Sequence, residues 1–367
     1  MQRSHNDRAM TPPSSESARR VACLGEALVL VPRLPAQGGE AVPSLAEGGT
    51  LAGAEANVAA GLAAMGVPVC WVGRLGADGL GEFVHADLAR RGVDVRAVQF
   101  DPDRPTGYYT KQVGADEDGE PRSRMLYRRA GSAASAMAPA FLDDPAVIDA
   151  LANARLIHTS GITAALSESC AQLMRTLLSQ PRPFAGTVCF DVNWREQLWP
   201  TGDPGVVVEL AKLADIVLVG GDEAVRVFGT DDPHSIRMIL PGPQWIIVKD
   251  GSRRALAVAA DGSVVEQPAL YVEVVEPVGA GDAFAAGFLA GVVRGDDMSR
   301  CLRRGHLSAA AVLTVPGDSA SLPAVEVVES LLASSPDAWA LVKVSAAGFE
   351  APAGSPSAGQ RGSKELR

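Results

Sequence analysis

Short apolar runs recur along the chain at a spacing that leaves room for one helix between successive members. They fall at residues 20–24, 69–72, 156–158, 188–192, 216–219 and 245–248, and they are continuous rather than alternating, as in strands buried on both faces. Between them, 54–65, 82–91, 168–178 and 204–213 have the length and apolar periodicity of helices. Strand and helix in alternation predict an α/β fold with a mostly parallel central sheet covered on both faces. Two intervals break the rhythm, 29–49 and 106–129, where apolar and polar positions alternate between turn residues and predict additional β structure. No internal repeat or heptad is present.

Composition narrows the class. A chain of 367 residues with 47% hydrophobic content can build one large α/β domain, or that domain with a small accessory layer. Residues 1–19 are polar and 345–367 are rich in Ala, Gly, Ser and Pro, so both are expected to be disordered tails around a domain spanning 20–344. The first 20 residues lack the apolar core of a signal peptide, and no uninterrupted apolar run is long enough to cross a bilayer, which makes the cytoplasm the expected location. Five scattered cysteines without a C-x-x-C pair are expected to be buried thiols rather than disulfides or zinc ligands. A net charge of −10 offers no basic face for nucleic acid or an anionic membrane, so an anionic substrate must be met by a local cluster of Arg or Lys.

The candidate chemistry lies between the apolar run 271–275 and a helix-like stretch at 283–293, where Gly279, Ala280, Gly281 and Asp282 follow one another. Two glycines allow backbone N–H groups to converge at a helix N-terminus, which favours an anion. A carboxylate beside such a cradle suits proton removal from a hydroxyl that attacks a phosphoryl group. An ordinary Gly-rich turn capped by aspartate is the alternative reading of these four residues alone. A P-loop is excluded, because no G-x-x-x-x-G-K-[ST] exists, and the glycines at 73, 76 and 79 have the wrong spacing for a dinucleotide fingerprint.

The run Glu276 to Phe288 (EPVGAGDAFAAGF) resembles the C-terminal signature of the ribokinase-like (pfkB) family of carbohydrate kinases. Gly53 to Gly66 (GAEANVAAGLAAMG), followed by Val72 to Gly81 (VGRLGADGLG), resembles the N-terminal signature of the same family. The resemblance implies a three-layer ribokinase-like fold with a small β lid, here 29–49 and 106–129, together with ATP and Mg²⁺ as cofactors. It makes Asp282 the base and the amides from Gly279 to Asp282 the phosphoryl cradle. In the family the lid often offers an edge for self-association, which leaves room for a homo-oligomer without fixing the oligomeric state.

Three further segments, Tyr127 to Ser135 (YRRAGSAAS), His158 to Ser167 (HTSGITAALS) and Phe190 to Trp199 (FDVNWREQLW), resemble the 2-keto-3-deoxygluconate kinases of that family. Carried over position by position, the resemblance puts Gly53, Asn57, Tyr109, Tyr127, Arg129 and Arg195 at the substrate, and Glu223, Lys249, Gly251, Gly279 and Gly281 at the nucleotide. Guanidinium groups bind carboxylates through charge-assisted, often bidentate hydrogen bonds, so two arginines suit a sugar acid better than a neutral sugar. Trp194 and Trp199 are expected to pack on the flank rather than stack on a sugar. The expected reaction is phosphorylation of the terminal hydroxyl of 2-keto-3-deoxygluconate, with fructokinase or another pfkB sugar kinase as the alternative. A catalytically weak sugar-binding or regulatory protein of the same fold is a second alternative. Three departures stand out: Gly220 replaces the usual asparagine of an Asn-x-x-Glu segment that ends in Glu223, Arg254 replaces a glycine in the turn after Lys249, and Glu276 stands for aspartate. The metal site therefore stays unassigned, with Glu223 as an indirect contributor.

Overall fold

The computed structural model of the chain describes residues 20–32, 45, 48–115, 121–317 and 320–350. The strands are β1 (Val21–Leu24), β2 (Leu28–Leu30), β3 (Thr50–Ala52), β4 (Val69–Gly76), β5 (Val98–Asp101), β6 (Tyr108–Ala115), β7 (Pro121–Arg128), β8 (Leu156–Ser160), β9 (Thr187–Asp191), β10 (Ile216–Gly220), β11 (Trp245–Asp250), β12 (Arg254–Ala259), β13 (Val264–Pro268), β14 (Tyr271–Val272), β15 (Lys343–Ser345) and β16 (Gly348–Glu350). The fold is α/β with a mostly parallel main sheet, and the chain divides within β10 into two compact units, one ending at Val217 and the other starting at Leu218.

In the first unit the main-sheet order is β5-β4-β1-β8-β9, and each of these neighbours is parallel. The continuous apolar runs explain this: every side chain of β1 and β8 is buried, so both faces of the sheet need cover. The helix Ala54–Ala64 packs on β1 and β4, and Glu168–Leu178, capped by the Ser167 hydroxyl on the Cys170 N–H, buries Leu173, Met174 and Leu177. A second sheet of four strands runs β3-β2-β6-β7, with β6 and β7 paired antiparallel from Tyr108↔Arg128 to Ala115↔Pro121. Much of the expected 29–49 interval lies outside the described residues, and its flanks are β2 and β3.

In the second unit the order is β10-β11-β12-β13. The last two pairings are antiparallel, a local reversal that the run at 245–248 did not announce. In the apolar run at 271–275 only Tyr271–Val272 is extended, and Tyr271, Val274 and Val275 are each more than half exposed. One correction concerns the end of the chain. The tail expected from residue 345 is folded as far as Glu350, because β15 pairs with β14 and turns back antiparallel as β16. Val342 and Val344 supply the apolar anchors that the Ala/Gly/Ser/Pro composition concealed. Residues 1–19 and 351–367 lie outside the described residues. All five cysteines are free and buried.

Candidate functional site

Within the first unit the sequence-predicted residues gather around the end of β1. Gly53 precedes the helix Ala54–Ala64 with φ 111°, and a Cβ there would lie 2.5 Å from the Glu26 carbonyl oxygen, so only glycine lets the chain after β1 pass this close. Its carbonyl accepts the Asn57 N–H at 2.8 Å, fixing the first turn that carries the half-buried Asn57. Register places Tyr109 on β6 opposite Tyr127 on β7. Their rings stack at 5.0 Å, and the Arg129 guanidinium lies 4.6 Å from the centre of the Tyr127 ring.

The other side of Arg129 is held by a residue that the motifs did not mark. Glu26 is 1% exposed, and its Oε2 lies 3.1 Å from Arg129 Nη2. Burial pushes the Glu26 carboxyl upward in pKa, against which Arg129 pulls it down. The Arg129 Nε is buried without a hydrogen-bond partner, leaving donor capacity beyond the Glu26 pair. Glu55 lies deeper: its Oε1 accepts the Ser160 hydroxyl at 2.7 Å and the Thr163 hydroxyl at 2.8 Å. Burial nevertheless raises its pKa to about 7. Arg195 has a different setting. It is exposed after β9 and donates from Nη1 to the Trp194 carbonyl at 2.9 Å. The preceding Asn193 holds φ 40°, an uncommon conformation for a non-glycine residue. Trp194 and Trp199 stack on each other at 5.3 Å, consistent with a flanking role.

Within the second unit the Gly-Ala-Gly-Asp run forms a helix start. Gly279 is left-handed, with φ 82°, and the helix Ala280–Arg294 begins directly after it, three residues before the predicted stretch. The N–H groups of Ala280, Gly281 and Asp282 therefore fall in a first turn that has no intrahelical acceptors, and the half-buried Asp282 carboxylate belongs to the same turn. A Cβ on Gly281 would lie 3.9 Å from the Lys249 ammonium, so a cation adjoins this start. Next to it is a cavity of about 470 Å³. Lys249, Gly251, Ala280 and Gly281 line it together with the apolar Leu270, Val272, Phe284 and Leu313. His306, also in the lining, is held neutral by burial at a pKa of about 4 and donates from Nε2 to the Gln267 carbonyl at 3.1 Å.

The departures acquire physical explanations. The Glu223 carboxylate accepts the Gly220 N–H at 2.9 Å and caps the helix Gly221–Phe228, so the pair is tied by the backbone where a side-chain amide was expected. Arg254 is not in the turn: Gly251, with φ 53°, occupies it, and Arg254 opens β12, where Nη1 meets the Glu266 carboxylate at 3.1 Å. Glu26, Glu55 and the apolar lining escaped the sequence reading. Glu26 and Arg129 are 103 positions apart, and only a buried acid placed directly after an apolar run could have suggested the first. Among the described residues no group of three or more His, Cys, Asp or Glu could hold a metal ion. No helix among them is long and apolar enough to cross a membrane.

A glycine-led helix start with an adjoining carboxylate and ammonium, on an α/β scaffold beside a cavity of small-molecule size, is an arrangement suited to phosphoryl transfer. The chain belongs to the pfkB family of carbohydrate kinases, which it matches over residues 18–325. It is 32% identical to the 2-dehydro-3-deoxygluconokinase of Bacillus subtilis (strain 168), across 77% of this chain and 87% of that protein. It is equally 32% identical to the 2-dehydro-3-deoxygalactonokinase of Haloferax volcanii, across 75% and 86%. Among solved structures, the PfkB protein from Polaromonas sp. JS666 superimposes with a TM-score of 0.68 at 30% identity, covering 82% of this chain and 98% of that one. Family membership implies ATP as the phosphate donor.

Proposed function

We propose that the protein phosphorylates the terminal hydroxyl of 2-keto-3-deoxygluconate at the expense of ATP, yielding the 6-phosphate. The observation that carries the substrate class is Arg129: a guanidinium held between the Tyr127 ring and a buried carboxylate, with Nε–H capacity left over. Such a group is fixed in orientation before a ligand arrives and offers charge-assisted hydrogen bonds to a carboxylate. Neutral sugars have no matching anion. The names carried by the Bacillus subtilis and Haloferax volcanii relatives support a 2-keto-3-deoxy acid. The Haloferax relative motivates a second reading, the galactonate-derived epimer at C4, which uses the same carboxylate and the same arginine.

In this reading Gly53, Asn57, Tyr109, Tyr127, Arg129 and Arg195 hold the sugar acid, and Lys249, Gly251 and the amides from Ala280 to Asp282 hold the phosphates. Asp282 takes the proton of the attacking hydroxyl, and the amides and Lys249 stabilise the charge on the transferred oxygens. A Mg²⁺ ion bound to the donor would neutralise phosphate charge. Among the described residues no cluster of carboxylates, His or Cys would hold it, so in this reading it would be bound by phosphate oxygens and water, with Glu223, whose carboxylate accepts the Gly220 N–H, an indirect contributor. An ATP-consumption assay with Mg²⁺ against 2-keto-3-deoxygluconate, 2-keto-3-deoxygalactonate, fructose, ribose and adenosine tests the proposal. Turnover confined to the two keto-deoxy acids is expected. Preference for fructose or ribose would discard the role of Arg129, and silence throughout would point to a binding protein.

A further inference from the structure

We propose that the C-terminal hairpin β15–β16 positions the apolar wall of the second unit's cavity and so controls nucleotide affinity from outside it. The inference rests on the reading of that cavity as the nucleotide site. The wall is the segment from Leu270 to Gly279, which leads from β13 to the anion cradle and contributes Leu270, Val272 and Val274 to the lining. This segment has little regular structure of its own. Its only strand is the two-residue β14, and its backbone is tied in two places. One is the Leu313 carbonyl, which accepts the Val275 N–H at 2.8 Å. The other is β15: Tyr271 and Val272 pair in parallel with Lys343 and Val344, and the Glu273 N–H donates to the Val344 carbonyl at 2.9 Å.

Side chains reinforce the second tie. Val344 is 1% exposed and shares a core cluster with Leu270, Ala310 and Trp339, against which Val272 packs. The Trp339 indole N–H donates to the Pro268 carbonyl at 2.8 Å, and the Arg303 guanidinium lies 4.7 Å from the centre of the same ring. None of residues 343–350 lines the cavity, so the hairpin acts through the backbone of the wall and touches no ligand. The hairpin also lies beyond residue 325, where the family match ends. A two-residue strand cannot hold its conformation in water without a partner. Removing β15 should let the wall relax, which lowers affinity for a purine nucleotide by the fraction of time the wall is displaced.

The test compares ADP binding by titration calorimetry in the full chain, a chain ended after Glu350 and a chain ended after Val342. Ending after Glu350 should leave the dissociation constant within about two-fold, whereas ending after Val342 should weaken it by about ten-fold or more. Affinity for 2-keto-3-deoxygluconate should be unchanged in all three. Equal ADP affinity in the two shortened chains would overturn the role of the hairpin. Where the shorter chain does not melt cooperatively, Val344→Ala in the full chain carries the test, with about three-fold weaker ADP binding expected and an unchanged value overturning the proposal. A full chain that binds no ADP would refute the reading of the cavity itself, an outcome distinct from either of these.

Discussion

The two units solve molecular recognition by different means. In the first, the candidate site is made of side chains: a guanidinium fixed by a ring and by Glu26, a tyrosine pair, and a second buried acid tied to Ser160 and Thr163. In the second, the candidate surface is largely backbone: a left-handed Gly279, the first-turn amides that follow it and a wall held by strand pairing, with Asp282 and Lys249 as the charged additions. Backbone donors serve any phosphate, and because their positions depend on φ and ψ they are altered only where a substitution disturbs the backbone itself, as at Gly279. Side chains can be exchanged one at a time. On the proposed reading, substrate choice therefore belongs to the first unit and the transfer chemistry to the second.

The sharpest test of that division is the charged addition at the cradle. Asp282→Asn should lower kcat by about 10³-fold or more, within the range for loss of a general base, and leave sugar-acid binding intact. Comparable losses of kcat and of sugar affinity would blur the division. Next in size, Gly279→Ala forces a Cβ into the left-handed region, at a cost of about 1–2 kcal/mol, and tilts the amides that follow. Its expected signature is a fall in kcat of roughly ten-fold with weaker ADP binding, read by steady-state kinetics and calorimetry. An unchanged kcat would show that the amides do not need this turn.

The smallest effect concerns stability alone. Burial raises the Glu55 carboxyl from 4.5 to about 7 in the folded chain, so the fold prefers the protonated acid. The contribution is fully present below about pH 4.5 and is lost as pH rises through about 7. Glu55→Gln keeps an acceptor for Ser160 and Thr163 without the ionisation. Its melting temperature relative to the native chain should therefore rise between pH 5 and pH 8, by differential scanning fluorimetry, and parallel profiles would show that Glu55 ionises at no cost.

Much of the second unit's candidate site was legible because its residues are consecutive. Gly279 to Asp282 state the turn, the helix start and the carboxylate in four letters. The first unit was legible only in part. Tyr109, Tyr127 and Arg129 were reached through motif resemblance and are joined here by the β6–β7 register, which pairs the tyrosines, and by the Arg129 guanidinium over the Tyr127 ring. Glu26 was not, since its meaning lies in a partner 103 positions away and a single acid after a strand has no pattern. The hairpin β15–β16 was hidden for a related reason: its stability comes from pairing with β14 and from the Val344 contact, which no local composition reveals.

The central claim is that a first-unit guanidinium reads a carboxylate while the second unit transfers phosphate indifferently. It is tested most directly by the ratio of kcat/KM for 2-keto-3-deoxygluconate to that for fructose, in the native chain and in Arg129→Ala. The account predicts a ratio of about 10² or more that falls at least ten-fold in the variant, through KM for the acid, with kcat little changed. A ratio that survives the substitution would contradict it.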